Sequence, residues 1–181
     1  VVNACIETDT DRTKKAIFIS TDKAVNPINL YGATKLTAEK LWTAANSFNR
    51  TKFSCVRYGI VIGSRGSVIP YFQSLAEDGI KSLPITAKDM TRFLITLEQA
   101  VGLIFTALAN MKGGEIYVPI IPSATIENIA RAVLPDCEFN YIGIRMGEKQ
   151  HESLISEDFA NVRLVCGSII GQAKQTYSSN D

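Results

Sequence analysis

Hydrophobic and polar positions in the first third of the chain follow two different periods. A continuous apolar run at residues 16–20 predicts a buried strand, and residues 52–58 predict a second one. Between them, residues 29–48 carry apolar side chains at a helical spacing, and Pro27 suits the first turn of that helix. A strand, a helix and a second strand in this order predict two parallel strands joined by a helical crossover.

The rest of the chain continues this alternation with shorter elements. Thr96 caps one long helix that runs to about Met111, where a Gly-Gly pair stops it, and Thr125 opens another helix. The remaining pattern predicts a helix at 68–76, extended segments at 82–86, 115–118 and 139–143, a helix at 125–134 and a polar loop at 147–152. Strands that alternate with helices predict an α/β fold built on a doubly wound parallel sheet.

Composition is typical of a globular protein and excludes several classes of partner. The chain has 181 residues, 46% of them hydrophobic, and a net charge of +1, which is enough apolar material for one core. Lys and Arg are dispersed along the sequence, which argues against nucleic acid as a partner. No apolar run approaches the roughly 20 residues that span a bilayer, so we expect a cytoplasmic location for the chain.

The four cysteines indicate neither a metal site nor a disulfide framework. Cys5, Cys55, Cys137 and Cys166 are far apart, and none belongs to a Cys-x-x-Cys motif. His151 is the single histidine of the sequence, so the set of ligands for a zinc site is not present either. We therefore predict reduced, mostly buried thiols and no metal.

A tyrosine and a lysine four residues apart are the candidate catalytic groups. On a helix Tyr31 and Lys35 lie on one face, and an ammonium beside a phenol favours the phenolate, which can take a proton from a sugar hydroxyl. Such a pair alone is most often a packed ring beside a solvated ammonium. Here it follows the polar cluster Thr21-Asp22-Lys23 at the end of a buried strand, where open α/β sheets bind their ligands. The context predicts that Tyr31 is a general base.

One segment closely resembles the active-site segment of extended short-chain dehydrogenases/reductases. It runs from Ser20 to Lys35 and reads Ser-Thr-Asp-Lys-Ala-Val-Asn-Pro-Ile-Asn-Leu-Tyr-Gly-Ala-Thr-Lys. Within that family it is similar to the inverting nucleotide-sugar 4,6-dehydratases that act on UDP-N-acetylglucosamine. The resemblance implies a Rossmann-like fold with a small substrate-binding subdomain, to which about residues 60–95 and 115–165 contribute. Because no glycine-rich dinucleotide loop occurs in the sequence, it also implies that residues 1–181 form a single, partial NAD(P)-binding domain.

The resemblance implies a reaction that uses NADP, or NAD, without consuming it. The sugar C4 hydroxyl is oxidised, water is lost across C5 and C6, and the hydride returns to C6. Tyr31 would be the base at C4 with Lys35 beside it, and Thr21 would bond the C4 oxygen. Lys23 would remove the C5 proton, while Asp22 would protonate the departing C6 hydroxyl, directly or through a water. Retaining dehydratases carry Asp-Glu where this chain has Asp-Lys, so the lysine indicates inversion at C5.

The same resemblance assigns the binding residues. The cofactor would contact Ser20, Tyr31, Lys35, Tyr58, Gly59 and Val61. The UDP-sugar would contact Arg65, Ser67, Arg92, Arg145 and Glu148, where arginine forks match the diphosphate. The signature Gly-Glu-Lys-x-His-Glu at residues 147–152 is expected to fix its own loop. At position 60 the family usually has Asn, and this chain has Ile60, which cannot hydrogen-bond to substrate.

Two alternative interpretations stay open at this point. Nucleotide-sugar 4-epimerases and reductases share Tyr-x-x-x-Lys but have no need of an acid and a base after Thr21. A non-catalytic fragment that only binds UDP-sugar is favoured by Ile60 and by the lack of a glycine-rich loop. For the full-length parent the resemblance implies a homo-oligomer. It leaves open an anchor at the cytoplasmic face of the inner membrane.

Overall fold

The computed structural model describes residues 1–7, 14–156, 161–166 and 169–172. The helices in these residues are α1 (Val2–Glu7), α2 (Leu30–Ala44), α3 (Val68–Glu77), α4 (Leu97–Asn110) and α5 (Ile126–Val133). The strands are β1 (Lys14–Thr21), β2 (Thr51–Tyr58), β3 (Ile60–Val61), β4 (Ser82–Ile85), β5 (Thr91–Ile95), β6 (Ile116–Pro119), β7 (Ser123–Thr125), β8 (Glu138–Tyr141), β9 (Val162–Cys166) and β10 (Ile169–Gln172). The helices and strands predicted from the sequence are confirmed, whereas β3, β5, β7, β9 and β10 were not predicted.

A five-stranded sheet in the order β1-β2-β6-β9-β10 forms the centre of the molecule. Its first four strands run parallel, and β10 is antiparallel to β9. β1 pairs with β2 along its whole length, from Lys14 opposite Thr51 to Thr21 opposite Tyr58. Among the described residues, no strand pairs with the other edge of β1.

Helices cover both faces of this sheet. On one face, Phe18 of β1 packs against Trp42 of α2, with 5.8 Å between the ring centroids, and Trp42 Nε1 donates to Ala16 O at 3.3 Å. On the other face, Ile17 packs with Leu103 of α4. Because successive side chains of a strand point to opposite faces, α2 and α4 lie on opposite sides of the sheet. The predicted doubly wound, Rossmann-like α/β fold is confirmed.

A side-chain cap fixes the start of α2. Asn29 Oδ1 accepts a hydrogen bond from the backbone N–H of Gly32 at 2.8 Å, and Asn29 Nδ2 donates to Gly147 O at 2.7 Å. The cap satisfies an N–H group that has no partner within the helix. The helix therefore begins at Leu30, and Pro27 lies before it rather than in its first turn.

A smaller unit beside the sheet has its own hydrophobic core. It contains α3, α5, the three-stranded sheet β3-β5-β7 and the parallel pair β4-β8. Its buried side chains are those of Phe72, Leu83, Ile85, Met90, Ile126, Ile129, Ala130 and Cys137. This unit fits the predicted small subdomain.

The three cysteines whose side chains are described are free thiols. Cys55 and Cys137 are buried, and Cys5 is half-buried. Burial and, to a lesser degree, the Glu39 carboxylate raise the pKa of Cys55 to about 12. That thiol stays protonated at neutral pH and acts as a small apolar core residue. The side chain of Cys166 lies outside the described residues.

A buried carboxylate closes the turn that leads into β6. Glu115 Oε2 accepts hydrogen bonds from Ser54 Oγ at 2.7 Å and from the backbone N–H of Gly113 at 2.8 Å, and Oε1 accepts one from Lys112 N at 2.8 Å. Burial by itself raises the pKa of this carboxyl, but the hydrogen bonds outweigh burial and hold the pKa below its usual value. The ionised form of Glu115 therefore stabilises the folded protein.

We expect Glu115→Gln to lower the free energy of unfolding by about 1–3 kcal/mol near neutral pH. The folded-state pKa of Glu115 lies below its unfolded value of about 4.3, so this stabilisation is present above the unfolded value and is lost as the pH falls through the folded one. Urea unfolding of both proteins across this range should show the two free energies converging in acid. A difference that persists undiminished in acid would contradict the assignment.

Candidate active site

Lys23 lies where β1 ends, in the tight turn Asp22–Ala24. Thr21 Oγ1 caps this turn by accepting a hydrogen bond from the backbone N–H of Lys23 at 3.4 Å. The start of α2 packs directly on the turn, because a Cβ added at Gly32 would lie 2.2 Å from the carbonyl oxygen of Lys23. A larger residue at position 32 would push the helix that carries Tyr31 away from the turn that carries Lys23.

Charged side chains alternate around this turn. Lys23 Nζ lies 3.0 Å from Asp22 Oδ1 and 3.5 Å from Glu152 Oε1, and Thr21 Oγ1 donates to Asp22 Oδ1 at 2.9 Å. Lys149 Nζ lies 3.5 Å from Glu152 Oε2. The side chains of Asp22 and Glu152 are 0% and 4% exposed, whereas that of Lys23 is 30% exposed. Lys23 is therefore the member of its pair with Asp22 that faces solvent.

Tyr31 and Lys35 both lie in α2, as predicted, but they occupy different surroundings. Tyr31 is exposed and lines the same cavity as Thr21 and Lys23. Lys35 Nζ donates to Ile19 O at 3.1 Å and lies 4.9 Å from the centroid of the Phe18 ring. Lys35 thus contacts β1, the strand that leads into the turn Asp22–Ala24.

The other residues predicted to bind the cofactor lie on β1, on β2 and in the segment that follows β2. Gly59 and Val61 line the same cavity as Tyr31. Burial and the neighbouring Tyr31 phenol raise the pKa of Tyr58. Ser20 Oγ is buried at the end of β1 without a hydrogen-bond partner among the described residues. A buried hydroxyl without a partner is a group that a ligand can satisfy.

A single cleft runs from the turn Asp22–Ala24 into the smaller unit. It consists of a cavity of about 600 Å³ at the Thr21 and Lys23 end and one of about 430 Å³ beyond it. The two cavities share the lining residues Ile60, Gly66, Ser67, Val68, Arg92 and Glu148. The combined volume of the two cavities is large enough for a ligand with a reacting end and a separate recognition end.

The five residues predicted to bind substrate all line this cleft, at different depths. Arg65 lies on the first cavity and Arg145 on the second, and both are exposed. Arg92 is buried between them, where its Nη1 donates to Thr91 O at 2.7 Å and to a second carbonyl at 3.1 Å. Ser67 Oγ and Glu148 Oε2 are buried with no partner in the part of the chain that is described. Arg92 is the cation held most firmly.

Two charged contacts, one at the site and one in the buried core, were not recognised from the sequence. Glu152 was expected to fix its loop, and it also reaches Lys23. Arg57 of β2 is fully buried and pairs with Glu39 of α2, with Nε to Oε1 at 3.0 Å and Nη2 to Oε2 at 2.5 Å. Neither pair could be predicted from the sequence, because its two residues lie far apart along the chain and no local pattern connects them. Lys149 does fix the loop as predicted, by donating to Val25 O at 2.6 Å.

The described residues contain no group of three or more His, Cys, Asp or Glu side chains that could hold a metal ion. Among the same residues, no helix is both long and apolar enough to cross a membrane. His151 instead makes a hydrogen bond between Nδ1 and Thr91 Oγ1 at 2.8 Å, beside Arg92.

Comparison with known proteins agrees with this geometry. Residues 1–171 match the family described as polysaccharide biosynthesis protein. The chain belongs to this family. The family resemblance inferred from the run between Ser20 and Lys35 is thereby confirmed over most of the chain, because the match extends far beyond that run.

Two relatives of this polysaccharide biosynthesis protein carry the names of different enzymes. The chain is 52% identical over 161 residues to the UDP-N-acetylglucosamine 4,6-dehydratase (inverting) of Campylobacter jejuni. This alignment covers 87% of this chain and 47% of that protein. The chain is 41% identical over 169 residues to the UDP-glucose 4-epimerase of Rickettsia canadensis, which covers 88% of this chain and 48% of that protein. The chain spans about half the length of the curated relatives it matches.

A solved structure supports the fold of this polysaccharide biosynthesis protein. The X-ray structure of Pen from Bacillus thuringiensis superposes with a TM-score of 0.78 at 36% sequence identity. The superposition covers 87% of this chain and 50% of that one. The sheet, the crossover helix α2 and the cleft are thus placed on a known Rossmann-like framework.

Proposed function

We propose that this chain supplies the catalytic and sugar-binding part of a UDP-N-acetylglucosamine 4,6-dehydratase that inverts C5. Its product would be a 4-keto-6-deoxy UDP-sugar for the synthesis of a bacterial glycan or polysaccharide. The observation that carries the proposal is the pair of Lys23 and Asp22, 3.0 Å apart, with Lys23 facing the cavity that Tyr31 also lines. An epimerase has no use for that pair, whereas an elimination needs both a base and an acid.

In the first part of the reaction, the Tyr31 phenolate takes the proton of the C4 hydroxyl while Thr21 bonds the C4 oxygen. Lys35 favours the phenolate through its positive charge. A bound NADP would accept a hydride from C4 and later return it to C6. The C4 ketone then makes the C5 proton acidic, which prepares the elimination.

The pair of Asp22 and Lys23 can supply both groups that the elimination needs. Transfer of one proton across the 3.0 Å contact converts ammonium and carboxylate into an amine and a carboxylic acid. The Lys23 amine takes the proton from C5, the C6–O bond breaks, and the Asp22 carboxyl gives its proton to the leaving oxygen, directly or through a water. Water leaves, and the pair returns to ammonium and carboxylate. No proton is gained or lost by the protein in this step. As the hydride returns to C6, C5 would take a proton from solvent on the face opposite Lys23, which inverts its configuration.

The residues present fit the nicotinamide end of a dinucleotide. Ser20 Oγ is buried with no hydrogen-bond partner among the described residues, and Tyr31, Gly59 and Val61 line the adjoining cavity. Lys35 Nζ at the end of β1 would bond the nicotinamide ribose, with Tyr58 on the neighbouring strand. We propose NADP, or NAD, as the cofactor.

The second cavity fits the nucleotide of the substrate. Arg65, Arg92 and Arg145 would hold the diphosphate along the cleft, while Ser67 and Glu148 offer oxygen atoms with no partner in the described chain. The lining residues of this cavity fall between positions 60 and 92 and between positions 126 and 148. This supports the proposal that about residues 60–95 and 115–165 contribute the substrate-binding part of one domain comprising residues 1–181.

The proposal is tested with the complete reading frame that contains these residues, incubated with UDP-N-acetylglucosamine and NADP. Mass spectrometry should show a nucleotide sugar that has lost one water and that carries a ketone. A product of unchanged mass would instead support the 4-epimerase interpretation, which the similarity to the Rickettsia epimerase favours. Tight binding of the UDP-sugar without any product would support a non-catalytic binding protein.

Ile60 lies where the two cavities meet, at a position where an amide could bond the substrate. We expect Ile60→Asn to tighten UDP binding about 2- to 10-fold, the effect of one hydrogen bond of roughly 0.5–1.5 kcal/mol. Isothermal titration calorimetry measures the change. Ile62→Asn is the matched control, because Ile62 is exposed on the same segment and lines neither cavity. Unchanged or weaker binding by Ile60→Asn would contradict the placement of substrate at this junction.

We further propose that the full-length protein is a homo-oligomer located in the cytoplasm. Exposed apolar side chains at Ile28, Leu30 and Leu41, which lie in α2 or just before it, support an oligomer interface on this side. An anchor of the parent at the cytoplasmic face of the inner membrane is compatible with this location. Sedimentation of the purified protein tests the oligomer directly.

A further inference from the structure

We propose that Glu152 is a positioning residue for Lys23 and that, through Glu152, the loop that binds the nucleotide also sets the catalytic base. The inference rests on the proposed function, in which Lys23 takes the C5 proton. Glu152 Oε1 lies 3.5 Å from Lys23 Nζ. Asp22 Oδ1 is the second carboxylate oxygen at the same ammonium, at 3.0 Å. Two carboxylates therefore hold one ammonium.

Burial makes this arrangement costly unless it serves the site. The side chain of Glu152 is 4% exposed, and a buried carboxylate is stable only when it is paired. Lys149 provides the second charge, 3.5 Å from Glu152 Oε2, and its own Nζ donates to Val25 O at 2.6 Å. Asp22, Lys23, Glu152 and Lys149 thus form a chain of alternating charges with no net charge. Buried ion pairs add little net stability, so a function explains this row of four charged side chains better than stability does.

The loop that carries Glu152 also forms the far end of the cleft. Arg145 and Glu148 line the second cavity, and the backbone between these two residues is tied to the start of α2 by the hydrogen bond from Asn29 Nδ2 to Gly147 O at 2.7 Å. A Cβ at Gly147 would lie 3.2 Å from Asn29 Cβ, so this contact is close. Ligand bound at the nucleotide end is therefore connected to Lys23 through fewer than ten residues of one ordered loop.

The role of Glu152 in the reaction follows from the charge that Lys23 gains. When the Lys23 amine takes the C5 proton, an ammonium forms between Asp22 and Glu152, and Asp22 loses its proton in the same step. The Glu152 carboxylate stabilises the ammonium as it forms. Removing its charge should slow the elimination. Oxidation at C4 should be unaffected, because it depends on Tyr31 and on Lys35, which is held by Ile19 O.

The first test does not depend on activity. In the complete protein, reductive methylation followed by peptide mass spectrometry reports the reactivity of each lysine amine. We expect Glu152→Gln to raise the labelling rate of Lys23 several-fold and to leave that of Lys35 unchanged. The matched control is Glu138→Gln, which removes an exposed carboxylate of β8. Equal labelling of Lys23 in Glu152→Gln and in the unmodified protein would overturn the proposal, whether or not the protein is a dehydratase.

The second test separates the two parts of the reaction. Quenching with borodeuteride traps C4 ketones, and mass spectrometry distinguishes those that keep the C6 hydroxyl from those that have lost it. In Glu152→Gln we expect kcat for the 6-deoxy product to fall by about 10- to 100-fold, part of the roughly 10²–10⁴-fold contributed by positioned acid–base groups. KM should stay nearly constant, and the ketone with an intact C6 hydroxyl should accumulate. Glu152→Asp should recover part of the rate, because it restores the charge.

The outcomes of this second test distinguish failure of the proposed function from failure of the positioning role of Glu152. No dehydrated product from the unmodified protein would reject the proposed function, and Lys23 labelling would then decide the positioning role alone. Normal turnover by Glu152→Gln in an active enzyme would reject the positioning role only. If Glu152→Gln does not fold, Lys149→Gln is the substitute, since it removes the group that holds Glu152. It should change Lys23 labelling and kcat in the same direction by a smaller factor, and no change would overturn the proposal.

Discussion

Replacing Lys23 by alanine is expected to abolish formation of the 4-keto-6-deoxy sugar while oxidation at C4 continues. In the proposed mechanism the amine of Lys23 is the base at C5. Lys23 lines the cavity, whereas the side chain of Asp22 is fully buried. Loss of a positioned base lowers a rate by roughly 10²–10⁴-fold. Asp22 would in addition lose the ammonium 3.0 Å away, which leaves a buried carboxylate with one fewer partner. The expected signature is accumulation of a ketone that retains the C6 hydroxyl.

The measurement is product formation by mass spectrometry after borodeuteride quenching, with Lys88→Ala as the control. Lys88 is exposed in the smaller unit and lines neither cavity of the cleft. Thermal unfolding of Lys23→Ala establishes that the fold is retained. Full turnover by Lys23→Ala would show that another group removes the C5 proton.

Breaking the buried pair of Arg57 and Glu39 should have the largest effect on stability. Arg57 is 0% exposed, and in addition to its two contacts with Glu39 its Nη1 donates to Leu154 O at 2.8 Å. One guanidinium thus joins β2, α2 and the segment that follows Glu152. We expect Glu39→Leu or Arg57→Met to lower the free energy of unfolding by about 3–5 kcal/mol, because each leaves an uncompensated buried charge.

Urea unfolding of the single variants and of the double variant Glu39→Leu/Arg57→Met separates charge from packing. The double variant removes both charges and keeps apolar volume, so it should be less destabilised than either single variant. Loss of the pair should also reduce turnover, since Glu39 lies on the helix of Tyr31 and Leu154 follows Glu152 by two positions. A double variant as unstable as the sum of the two single variants would contradict a role based on charge.

Elements with a strong local pattern could be predicted from the sequence. Thr96 and Thr125 were recognised as helix caps, and each accepts a hydrogen bond from a backbone N–H three residues later, at 3.2 Å and 3.1 Å respectively. The parallel pair of β1 and β2 follows from two apolar runs around one amphipathic helix. These features depend on neighbouring residues, so periodicity and capping chemistry are sufficient to find them.

The remainder depends on contacts between distant segments. β3 has two residues and is a strand only because it pairs with β5, which was not predicted from the sequence either. Glu39 looks like a solvent-facing position of α2 until Arg57 is placed opposite it. The predicted catalytic residues formed a continuous motif and could be named in advance. Glu152 could not, because its contact with Lys23 spans more than a hundred residues of sequence.

The most direct test of the dehydratase mechanism is the configuration and isotope content at C5 of the product formed in deuterated water. NMR spectroscopy of the sugar from the complete protein, UDP-N-acetylglucosamine and NADP should show a ketone at C4, a methyl group at C6, and deuterium at C5 in the inverted configuration. Lys23 would have removed the original C5 proton, and C5 would have taken a deuteron from the solvent on its opposite face. A product with C5 retained, or one that differs from the substrate only at C4, would contradict the mechanism assigned to Asp22 and Lys23.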